Sequence, residues 1–218
     1  VAALRTKYPP GGEKQLIQVV MGREVPSGKL PLDVHVIVLN VGTAAAIADA
    51  VIDGKPLVSR ITTVTGHVNR PSNLRVRVGT LVSDLIRECG GISLPESEVG
   101  KVVMGGAMTG FPCPTLDVPV AKANNGIVVY DAREAGELSE TPCIRCGRCV
   151  EACPMGLNPY RLKHLCDDGL MARARQENVM DCIVCGSCSY ICPAHRRLTS
   201  AFKAMKDAIA AEAKKGKG

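Results

Sequence analysis

The phrase CIRCGRCVEACP begins at Cys143, and CIVCGSCSYICP begins at Cys182. Each copy reads C-x2-C-x2-C-x3-C-P. Three thiolates at these gaps can wrap one face of a compact iron–sulfur cubane from a single tight loop. Small residues, Gly147 and Gly186, stand where that loop must bend. Backbone N–H groups can then point at the sulfurs, which is one lever on reduction potential. The fourth Cys follows on a helix that leads away, and the Pro after it fixes the exit.

Where two such runs share a chain, the fourth Cys of each ligates the other cluster. The pattern therefore predicts two [4Fe-4S] clusters. One uses Cys143, Cys146, Cys149 and Cys192; the other uses Cys182, Cys185, Cys188 and Cys153. The direction of the chain gives the reason. After its third Cys each run turns into a helix that heads for the partner loop before the fourth Cys is reached. Zinc is the competing occupant, because it also takes CxxC pairs. A Cys triple with two-residue gaps is not its usual arrangement.

The chain has 218 residues and 11 Cys. The odd count, the clustering and the lack of a signal peptide argue against a disulfide framework and for metal in a reducing compartment. Cys89 falls on an apolar helix face and reads as core, Cys113 has no partner spacing, and Cys166 reads as a buried, inert thiol. His35, His67, His164 and His195 form no ligand set. The formal charge of +6 counts every Cys as neutral. Each cubane core contributes +2 against four thiolates, so the loaded chain falls to about +2. That removes most of the case for nucleic acid, and the basic end AEAKKGKG reads as a frayed, solvated tail.

The elements that must position these residues follow from the pattern. VHVIVLNVGTAAAIADAVIDGKP reads as a strand buried on both faces over Val34–Leu39, a turn at Gly42, and an Ala-rich helix capped by Thr43 and stopped by Gly54 and Pro56. His35, Asn40, Thr43 and Asp49 interrupt this stretch, so it is no membrane span and the chain is expected to be soluble. SRITTVTGHV and NLRVRVG alternate as strands around the turn-rich NRPSN. Thr80 is the expected N-cap of a helix whose apolar face is Leu81, Val82, Leu85, Ile86 and Cys89, and Gly90 and Gly91 end it. KVVMGG and NGIVVYDA are further strands, which together suggest a small β-grasp-like unit. After Glu134 the pattern is helical. Leu198, Phe202, Met205 and Ile209 share one face of the last helix.

Aromatics are scarce, with no Trp, so the core is expected to be Val, Leu, Ile, Ala and Met. The opening VAALRTKYPP has no initiator Met and no targeting pattern, as expected of a chain lacking its N-terminal part. The glycine-rich stretches PPGGEK, LNVGT and VMGGAMTG match neither G-x-G-x-x-G nor a P-loop, and spacing alone supports a nucleotide or flavin site only weakly.

KYPPGGEKQLI, LNVGTAAAIADAV, NRPSNLRVRVGT, ECGG, VMGGAMTG and the two cysteine phrases occur in this order. In that order they resemble the RnfC family, the peripheral subunit of the Rnf electron-transport complex (Rsx in some bacteria). GGAMTG departs from the more usual GGPMMG. The resemblance implies a multidomain α+β chain in three divisions. Residues 1–58 are the C-terminal part of an α/β domain that binds FMN and NAD(H), 59–135 an SLBB β-grasp domain with its return strand, and 136–218 a helical ferredoxin domain. It implies flavin contacts at Gly11, Gly12, Glu13 and Lys14 in a first loop and at Asn40, Gly42 and Thr43 in a second. It also implies a peripheral place on the cytoplasmic face of the bacterial cell membrane. The partners would be other Rnf-type membrane subunits and, indirectly, ferredoxin.

The leading function is an oxidoreductase subunit relaying single electrons between its clusters and FMN, which exchanges hydride with NAD. In the whole complex this would be coupled to ion translocation, although nothing in this chain can carry the ion. A plain electron carrier, a cobalamin reductase and an Rsx-type reducer of a redox-sensing transcription factor are the alternatives. Flavin binding would exclude the first and corrin-dependent activity would establish the second; the third would use the same subunit.

Overall fold

The computed structural model describes residues 2–9, 11–136 and 138–215. Helix α1 spans Glu13–Met21, a 3-10 turn covers Pro31–Val34, and α2 spans Val41–Asp53. Strands β1 (Ser59–Gly66) and β2 (Ser72–Arg77) precede α3 (Val82–Glu88). Strands β3 (Val99–Met104), β4 (Phe111–Pro112) and β5 (Gly126–Asp131) follow. The remainder is helical: α4 (Ala132–Ala135), α5 (Arg148–Glu151), α6 (Pro159–Asp167), α7 (Met171–Gln176), α8 (Ser187–Tyr190) and α9 (Leu198–Lys215).

The chain divides into two compact units. One is Leu39–Glu137; the other joins Val1–Val38 to Leu138–Gly218. The expected first division, residues 1–58, is thus shared between them.

In the first of these units the strand order is β2-β1-β5-β3-β4. β1 and β5 run parallel, and the other pairs are antiparallel. The parallel pair in the middle needs a crossover, and α3 supplies part of it by burying Val82, Leu85 and Ile86 against the sheet. This is the expected β-grasp arrangement. Cys89 is 1% exposed in that core. At Gly66 φ is +84°, and a Cβ would sit 2.1 Å from the carbonyl oxygen of Val129, so only glycine fits where β1 meets β5. His67 is engaged: its Nε2 lies 3.2 Å from Glu134 Oε2. Glu134 and Asp131 in turn form the capping box of α4.

Three local expectations are corrected. The strand over Val34–Leu39 is not formed. Pro31 starts a 3-10 turn, His35 takes φ +58°, and no described strand lies beside Val36–Leu39 to accept its backbone hydrogen bonds. Nor is the segment buried on both faces, since Ile37 and Leu39 are 73% and 51% exposed. Asn40, not Thr43, caps α2, its side chain accepting from Gly42 N at 2.9 Å. Thr80 does not cap α3. The N-cap is Leu81, which pairs with Pro119 in an isolated bridge, and the Thr80 carbonyl accepts from Val120 N beside it. Gly54 ends α2 in the left-handed region as expected. No residue of α2 is buried.

The second unit is packed around α9. Leu198, Phe202, Met205 and Ile209 turn one face to Leu162 and Leu165 of α6 and Ala174 of α7. The tail is not frayed through residues 211–215, which continue α9 as an exposed helical end. Residues 216–218 lie outside the described ones.

Candidate metal centres

The two cysteine phrases fold alike. Arg145 and Val184, two residues after the first Cys of each, take φ +56° and +54°. Gly147 and Gly186 follow in the same region, and so do Gly156 and His195. Helices α6 and α9 then begin at the same offset. A β-branched residue at positive φ is costly, and such strain persists only where the surroundings impose it. The left-handed turn aims an N–H at sulfur: Arg145 N donates to Cys143 Sγ and Val184 N to Cys182 Sγ, each at 3.4 Å. The third Cys of each phrase is the second residue of the one-turn helix α5 or α8. The fourth lies just past that helix and not on it, which corrects the expected placement.

The cysteines converge across the phrases. Cys143, Cys146, Cys149 and Cys192 line one cavity of about 450 Å³, together with Tyr160 and His164. Cys153, Cys182, Cys185 and Cys188 line another, walled by Met155 and Phe202. Each cavity takes three thiols from one copy and one from the other.

Electrostatics follow this grouping. Burial raises the Cys149 thiol, and charge on Cys192 and Cys143 adds to the rise. Burial raises Cys182 likewise, against the Val184 N–H and Lys206, with Cys153 and Cys185 adding. Cys188 is pushed up to about 11, chiefly by burial, while the Thr199 hydroxyl opposes. Burial of Cys149, Cys182 and Cys188 disfavours their thiolates, which a bound cation would compensate. An all-sulfur donor set of this kind suits iron–sulfur clusters or zinc. Cys166, also pushed up to about 11 by burial, lies outside both cavities.

The other predicted residues sit at helix starts. Gly12 is the N-cap of α1 and Glu13 begins its first turn. Lys14 Nζ donates to the Pro26 carbonyl at 3.2 Å and lies 3.9 Å from Asp181. Asn40 and Gly42 border a separate cavity of about 390 Å³ that also exposes Arg60 and Arg75. Arg60 reaches Thr43 Oγ1 and Asn40 Oδ1 at 3.4 and 3.5 Å. Gly11–Lys14 belong to one compact unit and Asn40, Gly42 and Thr43 to the other. The sequence reading missed Arg60, which sits in an ordinary alternating strand. It also missed Tyr8 and Gln15, whose side chains donate to the carbonyls of Cys185 and Pro154.

Three family models match in order: the Nuo51 FMN-binding domain over residues 1–49, the SLBB domain over 61–112 and the 4Fe-4S dicluster domain over 142–196. A component of the Na(+)-translocating ferredoxin:NAD(+) oxidoreductase complex from Acetobacterium woodii is 45% identical over 99% of this chain and 48% of its own length. The corresponding component of the proton-translocating complex from Clostridium ljungdahlii is 47% identical over 83% of this chain and 39% of its own. The chain belongs to the RnfC family. A further RnfC relative, from the ion-translocating oxidoreductase complex of Rhodobacter capsulatus, is 46% identical over 72% of the chain and 30% of its own length. The chain thus spans half the length, or less, of these relatives. RnfC proteins are components of a multi-subunit complex. Among the described residues no helix is long and apolar enough to cross a membrane.

Proposed function

We propose that this RnfC-family chain relays single electrons through two [4Fe-4S] clusters within a membrane-associated ferredoxin:NAD⁺ oxidoreductase complex. The observation that carries the reading is the sorting of eight cysteines into two cavities, each drawing its fourth thiol from the other phrase. Cys143, Cys146, Cys149 and Cys192 would hold one cluster, and Cys182, Cys185, Cys188 and Cys153 the other. Bound there, the clusters supply one-electron redox chemistry near the potentials their surroundings set. The chain's own residues hold the sulfurs, aim the Arg145 and Val184 N–H groups at them, and exclude water from the second site with Phe202 and Met155. The three divisions 1–58, 59–135 and 136–218 serve as flavin, SLBB and ferredoxin modules, on the cytoplasmic face of the membrane. Coupling to ion movement belongs to partner subunits.

Anaerobically reconstituted protein is expected to contain iron and acid-labile sulfide at about eight each per chain, with visible charge-transfer absorption and no zinc. Stoichiometric zinc and a colourless protein would overturn the reading.

FMN and NAD(H) bind the full-length protein through Gly11, Gly12, Glu13, Lys14, Asn40, Gly42 and Thr43. Lys14→Ala and Asn40→Ala in the full-length protein should each weaken FMN by roughly ten- to a hundred-fold, since a hydrogen bond to a charged group is worth about 1.5–3 kcal/mol. FMN retention unchanged from wild type in both variants, measured by fluorescence titration, would place the site elsewhere.

A further inference from the structure

The two cysteine phrases share a backbone but not an environment. In the second copy Gly186 and Cys188 are buried and the other residues from Cys182 to Ser189 are half-buried. Tyr8 donates to the Cys185 carbonyl and Gln15 to the Pro154 carbonyl, and Phe202 walls the cavity. In the first copy Ile144, Arg145, Cys146 and Arg148 are all exposed. The difference has an electrostatic consequence. Reduction adds one electron to a site that four thiolates already make anionic. A site shielded from water loses the solvent that would stabilise the added charge.

The second copy places three polar side chains where that solvent is missing. The Ser187 hydroxyl lies 3.4 Å from Cys185 Sγ, and Thr199 Oγ1 lies 3.7 Å from Cys188 Sγ. A ligating thiolate has no proton to give, so in the loaded site each hydroxyl is the donor. Ser189 orients the second of them. Its Oγ accepts from Thr199 N at 2.9 Å and stands 2.9 Å from Thr199 Oγ1. Ser189 can then give its own proton to Thr199 Oγ1, which frees the Thr199 proton for sulfur. From α9 the half-buried Lys206 ammonium donates to the Cys182 carbonyl.

The fold does not require these side chains. At the same offsets from the leading Cys the first copy carries Arg148, Tyr160 and Asp167, all exposed. Asp167 has the opposite charge to Lys206 and turns to Lys163 and Arg196. The backbone N–H on sulfur, from Arg145 or Val184, is common to both copies.

We infer that Ser187, Thr199 and Lys206 set the reduction potential of the site formed by Cys153, Cys182, Cys185 and Cys188. Two hydroxyls aimed at ligand sulfurs and one fixed ammonium make the shielded site easier to reduce than burial alone would leave it. The inference rests on the cluster reading above, and the electron is the one that relay already carries. The three residues act through the ligating cysteines. No bond is made or broken and no proton is transferred.

The test is a mediated redox titration of the anaerobically reconstituted chain, followed by electron paramagnetic resonance, with iron and sulfide counted first. Cys185→Ser identifies which midpoint belongs to the second site. Lys206→Gln keeps a donor near the Cys182 carbonyl and removes the charge. It should make the second site about tenfold harder to reduce, a shift of about 59 mV for one electron, and move the first site far less. Lys206→Arg should stay near wild type. Thr199→Val and Ser187→Ala should each lower the same midpoint by a smaller step, about twofold or more in the reduction equilibrium. Lys215→Gln makes the same charge change at the exposed end of α9 and should move neither midpoint. Protein without iron overturns the cluster reading itself. With both clusters present, the inference is overturned by an unmoved midpoint in Lys206→Gln, Thr199→Val or Ser187→Ala, by a Lys206→Arg midpoint as low as that of Lys206→Gln, or by an equal shift in Lys215→Gln. Loss of the second site's iron in both Lys206→Gln and Thr199→Val would make these residues structural supports and overturn it too.

Discussion

Cys153→Ser is expected to abolish the cluster beside Cys182, Cys185 and Cys188 and to spare the one beside Cys149, its near neighbour in sequence. The cavities are the reason. Cys153 faces the second set, and Cys192 faces the first. Removing one thiolate leaves three donors in an apolar cavity that cannot close the shell, and cluster binding is coupled to folding of the unit. Iron should fall from about eight to about four per chain. Single serine variants of all eight cysteines should sort into two spectroscopic groups by electron paramagnetic resonance. Cys153→Ser should match Cys182→Ser, and Cys192→Ser should match Cys143→Ser. Grouping by phrase, with Cys153→Ser matching Cys149→Ser, would refute the crossed arrangement.

Phe202→Ala should be the most damaging change outside the cysteines. Phe202 is 1% exposed, sits at the centre of the α6–α7–α9 core and also walls the second cavity. Truncating a buried Phe costs about 3–5 kcal/mol, against a total stability of about 5–15 kcal/mol for a typical domain. Thermal unfolding of the reconstituted protein should shift down by roughly 10 °C or more. The second cluster should also be lost first on dilution, because water gains access to it. Tyr190→Ala, at 79% exposure, should leave both quantities unchanged. An unshifted transition for Phe202→Ala would mean the core is assembled differently.

Much of this was legible because metal chemistry and helical periodicity act over short sequence distances. Each cavity takes three thiols from one closely spaced run and one from the other, and the face of α9 was readable from Leu198, Phe202, Met205 and Ile209 alone. The strand expected over Val34–Leu39 failed for the opposite reason. An apolar β-branched run becomes a strand only if another strand takes its hydrogen bonds, and composition does not say whether one is present. Thr43 and Thr80 were reasonable caps by residue type, but a cap is fixed by where the helix starts to within one residue. The unequal exposure of the two phrases was invisible, since it depends on Tyr8 and Gln15, more than a hundred residues away in the chain.

The exchange of one cysteine between otherwise matching halves also bears on how such a chain can change over generations. A duplicated segment is ordinarily free to decay in one copy while the other keeps the role. With clusters bound in the two cavities as proposed, a mutation at Cys153 or Cys192 would be felt in the opposite half, so selection would see both copies through either one. The halves can diverge in their outward residues, as Arg145 and Val184 have done, but neither can be discarded, transplanted or shortened alone.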